Sequence, residues 1–197
     1  YTGEVQIAVE PSTISKYFND LSGQGAATVA AVDFLYSQGV VNGVREGQYA
    51  PGSNIRRGDF CLMLYRAFQF DSDGTTAGFR DVPDSAYYAQ AVNVLRSQGI
   101  VMGIGGNTFK PNDSISRQDA ALMVQRTLKA AGLKADDGTA EDLAGYGDAA
   151  YVDAYARGAV TCLLQQGILP ANGSSISPKG NLTRAAMAVL LHRAMAK

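Results

Sequence analysis

One unit of sequence occurs three times in the chain, and this repeat constrains the possible folds more than any other feature. The segment AVDFLYSQGV at residues 31–40 returns as AVNVLRSQGI at 91–100 and as AVTCLLQQGI at 159–168. Alanine, valine, leucine, glutamine and glycine hold the same places in all three copies. A unit of this size buries too little apolar surface to be stable alone, so the copies are expected to share one core.

Each copy is predicted to form a helix, a loop and a second helix. In the second copy, apolar residues recur at helical spacing from Tyr88 to Leu95, and Gly99 is well placed to end that helix. The glycine-rich loop that leads to Pro111 is predicted to be non-helical. A second helix is predicted to begin near Ser116. Its buried face consists of Ala120, Met123, Val124 and Leu128.

The pattern predicts an all-α fold in which three helix-loop-helix repeats close with pseudo-threefold symmetry around a shared core. We place the repeats at residues 16–70, 78–131 and 145–197. The connecting segments are rich in Asp, Gly, Ala or Thr and are predicted to be solvated loops. These segments are residues 71–77 and 132–145.

Residues 1–15 precede the first repeat and are interpreted as a linker or the remnant of an upstream domain. Residues 4–10 alternate between apolar and polar side chains, which is typical of a strand. Neither the basic nor the apolar region of a signal peptide follows Tyr1. We therefore expect an exported form of this protein to carry its signal upstream of this sequence.

The charge balance argues against two classes of partner. Lysine and arginine total 17 against 18 acidic residues, a formal net charge of −1. We therefore expect no positive field that would hold a nucleic-acid backbone or an anionic membrane surface. No apolar run approaches the roughly 20 residues that cross a bilayer.

The cysteine and histidine content predicts neither a metal nor a cofactor. Zinc and iron–sulfur sites need several thiolates or imidazoles at short spacing, whereas Cys61 and Cys162 are far apart and His192 is the only histidine. Both cysteines align with apolar residues of the other copies, so we interpret them as buried thiols rather than a disulfide. His192 is interpreted as an ordinary helix residue.

Each copy places an arginine in the first turn of its second helix, six residues after a proline. The arginines are Arg57, Arg117 and Arg184, and the prolines are Pro51, Pro111 and Pro178. A cation there opposes the helix dipole, so the arginines need another explanation. Together with unpaired N–H groups at the helix start, a guanidinium predicts a site for a carboxylate or phosphate. The alternative is a salt bridge to the aspartate that opens a neighbouring copy, namely Asp20, Asp81 or Asp148.

Other recurring residues have structural explanations. Ser116 and Thr183 are predicted N-caps, and Asp119 is predicted to complete a capping box with Ser116. In the first copy, Arg56 stands where the capping hydroxyl belongs. The arginines near the helix C-termini are interpreted as compensating the helix dipole. They are Arg66, Arg126 and Arg193.

The motifs of the second copy resemble a known repeat. They are FRDVP at 79–83, GIVMG at 99–103, TFKP at 108–111 and ISRQD at 115–119. Together they resemble the S-layer homology (SLH) repeat, whose signature runs Phe-x-Asp-Val, Gly-Ile-x-x-Gly, Gly-x-Phe-x-Pro and Thr-Arg-Ala-Glu. Three tandem copies are the usual complete SLH module, so the resemblance covers most of the chain.

The resemblance implies a monomeric, pseudo-trimeric spindle around a central bundle of three helices, one from each repeat. It also implies a non-catalytic module that anchors an exported protein to the bacterial cell wall, at the cell surface. The implied ligand is a secondary cell-wall polysaccharide that carries a pyruvate ketal. Such a polymer binds in grooves between neighbouring repeats, where the motif arginine contacts its acidic group.

Carried onto this chain, the resemblance assigns ligand binding to Arg57, Arg117 and Arg184. Further candidates lie on the turn after the first helix, where backbone donors and glycine suit the close approach of a sugar. These candidates are Asn42, Gly43, Met102 and Gly103. The third copy departs from the signature, with Ala186 in place of the final acid and Ala171 in place of the turn glycine. We therefore expect one or two occupied grooves, with Arg57 and Arg117 the most important arginines.

The sequence leaves other functions open. The chain could be a structural or protein-interaction module of a surface-layer protein, with the arginines forming only inter-repeat salt bridges. An enzyme such as a wall hydrolase is a third reading, but paired carboxylates at glycosidase-like positions are not identifiable, and such an activity is better placed in an upstream domain. Within the anchoring class, a differently modified peptidoglycan is an alternative ligand.

Overall fold

The computed structural model describes residues 12–71, 78–139 and 141–197 and contains six α-helices within them. They are α1 (Ala26–Ser37), α2 (Arg57–Phe68), α3 (Ala89–Ser97), α4 (Arg117–Ala130), α5 (Arg157–Gln165) and α6 (Arg184–Met195). Over these ranges the backbone forms isolated β-bridges but no strand. The predicted all-α fold is therefore confirmed. The strand pattern at residues 4–10 and the linker residues 72–77 lie outside the described residues.

The helices pack in a cycle that runs through all three repeats. The second helices α2, α4 and α6 contact one another in every pair. Each first helix packs mainly on the second helix of the preceding repeat, α3 on α2 and α5 on α4, and α1 closes the cycle on α6. The two helices of one repeat are therefore not main packing partners, because the long loop between them carries the second helix away.

The core lies where the second helices meet. Phe60 and Leu64 of α2, Val124 of α4, and Leu190 and Leu191 of α6 are all completely buried. Burying one such side chain stabilises a fold by about 1.5–3 kcal/mol. The apolar faces predicted for the second helices are therefore buried, and they are covered by the other second helices and, more extensively, by the first helix of the following repeat.

A ring of three backbone hydrogen bonds joins the segments that lead into the second helices. The N–H of Ile55 donates to the carbonyl of Leu182 at 2.9 Å, and the N–H of Leu182 donates to Ile115 at 2.9 Å. The N–H of Ile115 donates back to Ile55 at 3.1 Å, which closes the ring. All three side chains are buried, so the ring lies in the interior and fixes the helix starts relative to one another.

The two cysteines and the single histidine all lie on helices. Cys61 on α2 and Cys162 on α5 are free, buried thiols, as predicted, and burial raises the pKa of both. The ring of His192 packs against Phe34, with 4.9 Å between the ring centres. Within the described ranges, His, Cys, Asp and Glu form no cluster that could hold a metal ion, and no helix is long and apolar enough to cross a membrane.

Candidate functional site

An aspartate near the start of each repeat shapes the loop before the motif proline. Asp81 accepts hydrogen bonds from the N–H groups of Phe109 at 2.8 Å and Lys110 at 2.7 Å. Lys110 has a φ of 57°, which is unfavourable for any residue with a side chain, and these bonds hold it there. Asp20 and Asp148 make the same pair of bonds in the other repeats. The three aspartates that were the alternative salt-bridge partners of the arginines are thus bonded to backbone N–H groups in the loop of their own repeat.

Each motif arginine is bonded to the loop of the following repeat. Nε of Arg57 donates to the carbonyl of Phe109 at 3.0 Å, and the guanidinium carbon lies 4.8 Å from the centre of that ring. The equivalent bonds run from Arg117 to Ile176 at 2.8 Å and from Arg184 to Tyr49 at 2.7 Å. The aspartate therefore holds the loop from one side, and the arginine of the preceding repeat holds it from the other.

The backbone N–H groups at the helix starts are paired, so the prediction of unpaired donors there is wrong. The N–H of Arg57 donates to the carbonyl of Asp113 at 2.9 Å, and that of Gly58 donates to Pro111 at 2.9 Å. The first two N–H groups of α4 and α6 make equivalent bonds to the next proline loop. The cause is that each loop folds over the start of the preceding second helix and supplies the carbonyls that these donors need.

The ion pairs also differ from the predicted alternative. Among the described residues, Arg57 is the one motif arginine that forms an ion pair. Its Nη1 lies 3.6 Å from Oδ2 of Asp119. Asp119 belongs to the first turn of α4 rather than to the start of a repeat. The arginines therefore join the repeats mainly through hydrogen bonds to carbonyl groups, and not through salt bridges to the opening aspartates.

The structure brings the predicted site residues together across repeats. Arg57 of repeat 1 lies in one cleft with Met102 and Gly103 of repeat 2. Nη2 of Arg184 in repeat 3 donates to the carbonyl of Asn42 in repeat 1 at 2.7 Å, next to Gly43 in the chain. Each arginine thus meets the turn of the following repeat and not the turn of its own.

The two turn glycines are explained by packing. A Cβ atom on Gly103 would lie 2.6 Å from Cε1 of Phe79 and 2.6 Å from the carbonyl oxygen of Thr108. A Cβ atom on Gly43 would lie 2.9 Å from Cε1 of Phe18. These glycines let the phenylalanine of the Phe-x-Asp motif pack under the turn, whether or not a ligand approaches from outside.

A cleft of about 470 Å³ opens beside Arg57, and all three repeats contribute to it. We call it the Arg57 cleft. Its lining includes Arg57 of repeat 1, Met102, Gly103, Asp119 and Arg126 of repeat 2, and Tyr155 of repeat 3. A volume of this size is within the usual range for small-ligand sites, roughly 300–1,000 Å³.

The polar groups of the Arg57 cleft are held by one another. The hydroxyl of Tyr155 donates to Oδ1 of Asp119 at 2.7 Å, while Oδ2 of Asp119 faces Arg57. Burial and the bond to Asp119 raise the pKa of Tyr155 to about 12, so the phenol remains a donor. Nη1 of Arg126 donates to the carbonyl of Ile100 at 3.3 Å, and burial lowers the pKa of this arginine. Two cations and one anion leave the cleft with an excess positive charge.

Three residues of this cleft were missed as site residues. Asp119 was interpreted as a capping residue, Arg126 as compensation for the helix dipole, and Tyr155 was not considered. The sequence did contain one signal, because Tyr155 aligns with Tyr87 in the second copy. The sequence does not give the order in which the repeats pack, and it is this order that places Tyr155 of repeat 3 next to Asp119 of repeat 2.

The two predicted N-caps are present, but the predicted capping box is not. Oγ of Ser116 accepts from the N–H of Asp119 at 3.2 Å, and Oγ1 of Thr183 makes the equivalent bond at the start of α6. Arg56 makes no side-chain cap for α2. The Asp119 carboxylate, however, is bonded to the hydroxyl of Tyr155 and shows no return bond to Ser116. It therefore serves the contact between repeats.

Alignment of the repeats gives the positions around Arg184 and Arg117 that are equivalent to those of the Arg57 cleft, and we call these two places the Arg184 cleft and the Arg117 cleft. In the Arg184 cleft, the positions of Asp119, Tyr155 and Gly103 are occupied by Asp59, Tyr87 and Gly43. The hydroxyl of Tyr87 donates to Oδ1 of Asp59, as Tyr155 does to Asp119. The Arg184 cleft therefore retains the Asp–Tyr pair of the Arg57 cleft.

The Arg117 cleft has lost these groups. Its three corresponding positions are Ala186, Ala27 and Ala171. Nη2 of Arg117 donates to the carbonyl of Pro170, and burial lowers the pKa of Arg117 against an opposing effect of Asp148. The two departures of the third copy, Ala186 and Ala171, thus fall in one cleft, where they meet Ala27 of the first copy.

The fold defines a class of protein, a module built from three helical repeats that pack in a cycle and form a cleft between them. The sequence model of the S-layer homology domain matches residues 17–61, 78–121 and 145–188. The chain belongs to this family, and the predicted three-repeat SLH module is confirmed. SLH domains are non-catalytic anchoring modules found in surface-layer proteins and in cell-surface enzymes.

Several relatives align with nearly the whole chain. The amylopullulanase of Thermoanaerobacterium thermosulfurigenes is 27% identical over 92% of the chain, and exoglucanase XynX of Acetivibrio thermocellus is 26% identical over 99%. The surface-layer 125 kDa protein of Lysinibacillus sphaericus is 26% identical over 96%. The chain spans only 10%, 18% and 16% of the lengths of these three relatives.

Proposed function

We propose that the chain anchors the protein of which it is part to the outside of a bacterial cell wall by binding an acidic wall polysaccharide. The observation that carries the proposal is the Arg57 cleft, in which Arg57 and Arg126 outnumber Asp119. The acidic group that membership of the SLH family implies is a pyruvate ketal, whose planar carboxylate matches the parallel donors of a guanidinium. Binding involves no covalent bond and no catalysis by these residues.

Relatives of two kinds support an anchoring function. One is named a surface-layer protein and the other two are named an amylopullulanase and an exoglucanase, and this chain matches only 10% to 18% of each. A module shared by proteins of such different names is suited to a task separate from their activities. Attachment to the cell surface is such a task.

The clefts are unequal, and we assign the ligand to the Arg57 and Arg184 clefts. Both combine the motif arginine with an aspartate, a tyrosine that fixes it and a turn glycine. Arg117 differs from both in having alanine at all three accompanying positions, although it bonds two carbonyls just as Arg184 does. This assignment replaces the expectation that Arg57 and Arg117 are the important pair, and makes Arg117 a clasp between repeats 2 and 3.

A second candidate function is a purely structural module, and one observation favours it. All three motif arginines use Nε to hold a neighbouring loop, so each contributes to the fold whether or not a ligand is present. In that case an Arg→Ala substitution would lower the melting temperature and leave wall binding unchanged.

A sedimentation assay with purified bacterial wall sacculi tests both candidates. The sacculi are used before and after mild acid hydrolysis of pyruvate ketals, with wild type, Arg57→Ala, Arg184→Ala and the matched control Arg117→Ala. We expect hydrolysis to abolish binding, Arg57→Ala and Arg184→Ala each to weaken it at least tenfold, and Arg117→Ala to bind like wild type with a lower melting temperature. Equal binding by all four proteins to untreated sacculi would favour the structural module.

A further inference from the structure

The turn that repeat 1 contributes to the Arg184 cleft contains the dipeptide Asn42-Gly43, a chemically labile sequence. The chain contains the same dipeptide at one further place, Asn172-Gly173. In an Asn-Gly pair the backbone nitrogen of the glycine can attack the asparagine side chain, because glycine has no Cβ atom to hinder the ring that forms. Asparagine is accordingly one of the thermolabile residue types. Which of the two pairs reacts depends on how the fold holds each of them.

The fold leaves the reacting groups of Asn42 and Gly43 unbonded. The side chain of Asn42 is exposed, and within residues 12–71, 78–139 and 141–197 neither that side chain nor the N–H of Gly43 makes a hydrogen bond. The contact that restrains Asn42 is the bond from Nη2 of Arg184 to its carbonyl, at 2.7 Å. The end of a long arginine side chain can follow a carbonyl that rotates. The nitrogen of Gly43 is therefore available to attack the neighbouring side chain.

The second pair, Asn172-Gly173, is held by the backbone on both sides. The N–H of Asn172 donates to the carbonyl of Ser175 at 2.9 Å, and the N–H of Ser175 donates back to the carbonyl of Asn172 at 3.0 Å. Gly173 has a φ of 56° and begins the tight turn that these two bonds close. Attack by Gly173 requires rotation of the Asn172 backbone, which would break both bonds. The folded chain therefore opposes the reaction at this pair.

We propose that Asn42 is a site of spontaneous deamidation in the folded module, whereas Asn172 is protected by its turn. The nitrogen of Gly43 forms a bond to Cγ of Asn42, and the bond from Cγ to the side-chain nitrogen breaks. That nitrogen leaves as ammonia and carries away the proton of the Gly43 N–H. Water then opens the five-membered imide at one of its two carbonyls, which gives aspartate or isoaspartate. Water is the only co-reactant of the two steps.

Either product places a new carboxylate beside Arg184. In isoaspartate the carboxylate is formed from the same carbonyl that Nη2 of Arg184 binds, and in aspartate it lies on the side chain of residue 42. An ordinary aspartate has a pKa of about 3.9, so the new group is ionised at neutral pH and forms charge-assisted bonds to the guanidinium. The charge of Arg184 is thereby neutralised. Under the proposed function, on which this consequence alone rests, the deamidated module keeps the Arg57 cleft and loses the Arg184 cleft.

Peptide mass spectrometry of aged protein tests the site. The chain is incubated in mildly alkaline buffer below its melting temperature, and in parallel in concentrated guanidinium chloride, and each Asn-Gly peptide is then examined for the gain of one mass unit. In the folded protein we expect Asn42 to react at least tenfold faster than Asn172. In denaturant the two pairs are expected to react at similar rates, because the fold no longer distinguishes them. Equal rates in the folded protein, or an Asn42 that reacts only in denaturant, would overturn the proposal.

The sedimentation assay with sacculi tests the consequence. Asn42→Asp supplies the carboxylate directly, Asn42→Gln keeps an amide that cyclises far more slowly, and Asn172→Asp is the matched control that places the same charge in the Arg117 cleft. We expect Asn42→Asp and aged wild type to bind at least tenfold more weakly than fresh wild type, as Arg184→Ala does, and the other two variants to bind like fresh wild type. If Asn42→Asp binds like wild type while Arg184→Ala does not, deamidation does not act on the cleft. If fresh wild type does not bind, the proposed function fails, and the deamidation site is decided by the masses.

Discussion

At the scale of the residue, the motif arginine has two separable uses. Nε of each arginine holds a carbonyl of the next repeat, and this use is common to all three copies. The ends of the guanidinium differ, since those of Arg117 and Arg184 are bonded to the carbonyls of Pro170 and Asn42, whereas that of Arg57 faces Asp119 in an open cleft. A guanidinium has five N–H donors, so one side chain can hold the fold and still present donors to a ligand.

A glycine substitution separates backbone strain from steric conflict. Gly103 and Gly99 have φ values of 73° and 70°, but a Cβ atom would strike Phe79 at Gly103 and meet nothing within 4 Å at Gly99. We expect Gly99→Ala to lower the free energy of unfolding by about 1–2 kcal/mol through strain alone. Gly103→Ala is expected to lower it further. Denaturant unfolding measures both, and equal losses would show that Phe79 moves aside without cost.

At the scale of the element, the loop before each motif proline is stabilised from both sides, and in repeat 3 its aspartate makes this stability depend on pH. The N–H of Ile176 lowers the pKa of Asp148 most, burial opposes it, and the N–H of Ser177 and the hydroxyl of Ser175 lower it further. The folded-state pKa is thus below the unfolded value of about 3.9. Stability from this carboxylate is therefore present above about pH 4 and is lost as the pH falls through the lowered pKa.

Replacing Asp148 by asparagine tests this assignment. We expect Asp148→Asn to melt at a lower temperature than wild type at pH 7, because an amide is a weaker acceptor for the three donors. Below about pH 4, the wild-type melting temperature is expected to fall more steeply than that of the variant, so that the two curves converge. Parallel curves from pH 7 to pH 2 would mean that Asp148 contributes no pH-dependent stability.

The helices were predictable from sequence, but their partners were not. Ser116 and Gly99 mark real helix boundaries, because capping and left-handed turns depend on local chemistry. The helical periodicity of α3 indicates that one of its faces is buried, but it does not indicate that α2 covers that face. The same limit applies to the site. Arg57 was found from its repeat, whereas Tyr155 and Asp119 could be joined only once the order of packing was known.

At the scale of the whole molecule, the packing cycle makes the three repeats depend on one another. Removing repeat 3 would remove α6, which covers α1, and would leave the N–H of Ile55 and the carbonyl of Ile115 without Leu182. An unpaired buried group costs about 1–3 kcal/mol, and the exposed apolar faces cost more. A chain with only two repeats is therefore expected to lose more than one third of the stability of the whole module, because the remaining helices and hydrogen-bonding groups lack their partners.

A deletion of residues 145–197 tests this dependence. We expect wild type to unfold in one cooperative transition and the truncated chain to show none, with loss of binding to sacculi. Circular dichroism melts and the sedimentation assay provide the measurements. A cooperative transition in the truncated chain would contradict the closed cycle and favour repeats that are stable in neighbouring pairs.

The composition of the Arg57 cleft from three repeats has a consequence for how such chains can change over generations. Loss of one repeat unit from the gene would open the ring and leave the Arg57 cleft incomplete, so it would not produce a smaller version of the same module. Single substitutions behave differently, because Ala186, Ala27 and Ala171 change the side chains around Arg117 without opening the ring. If the clefts bind as proposed, the avidity of the module is adjustable one cleft at a time while the ring stays closed.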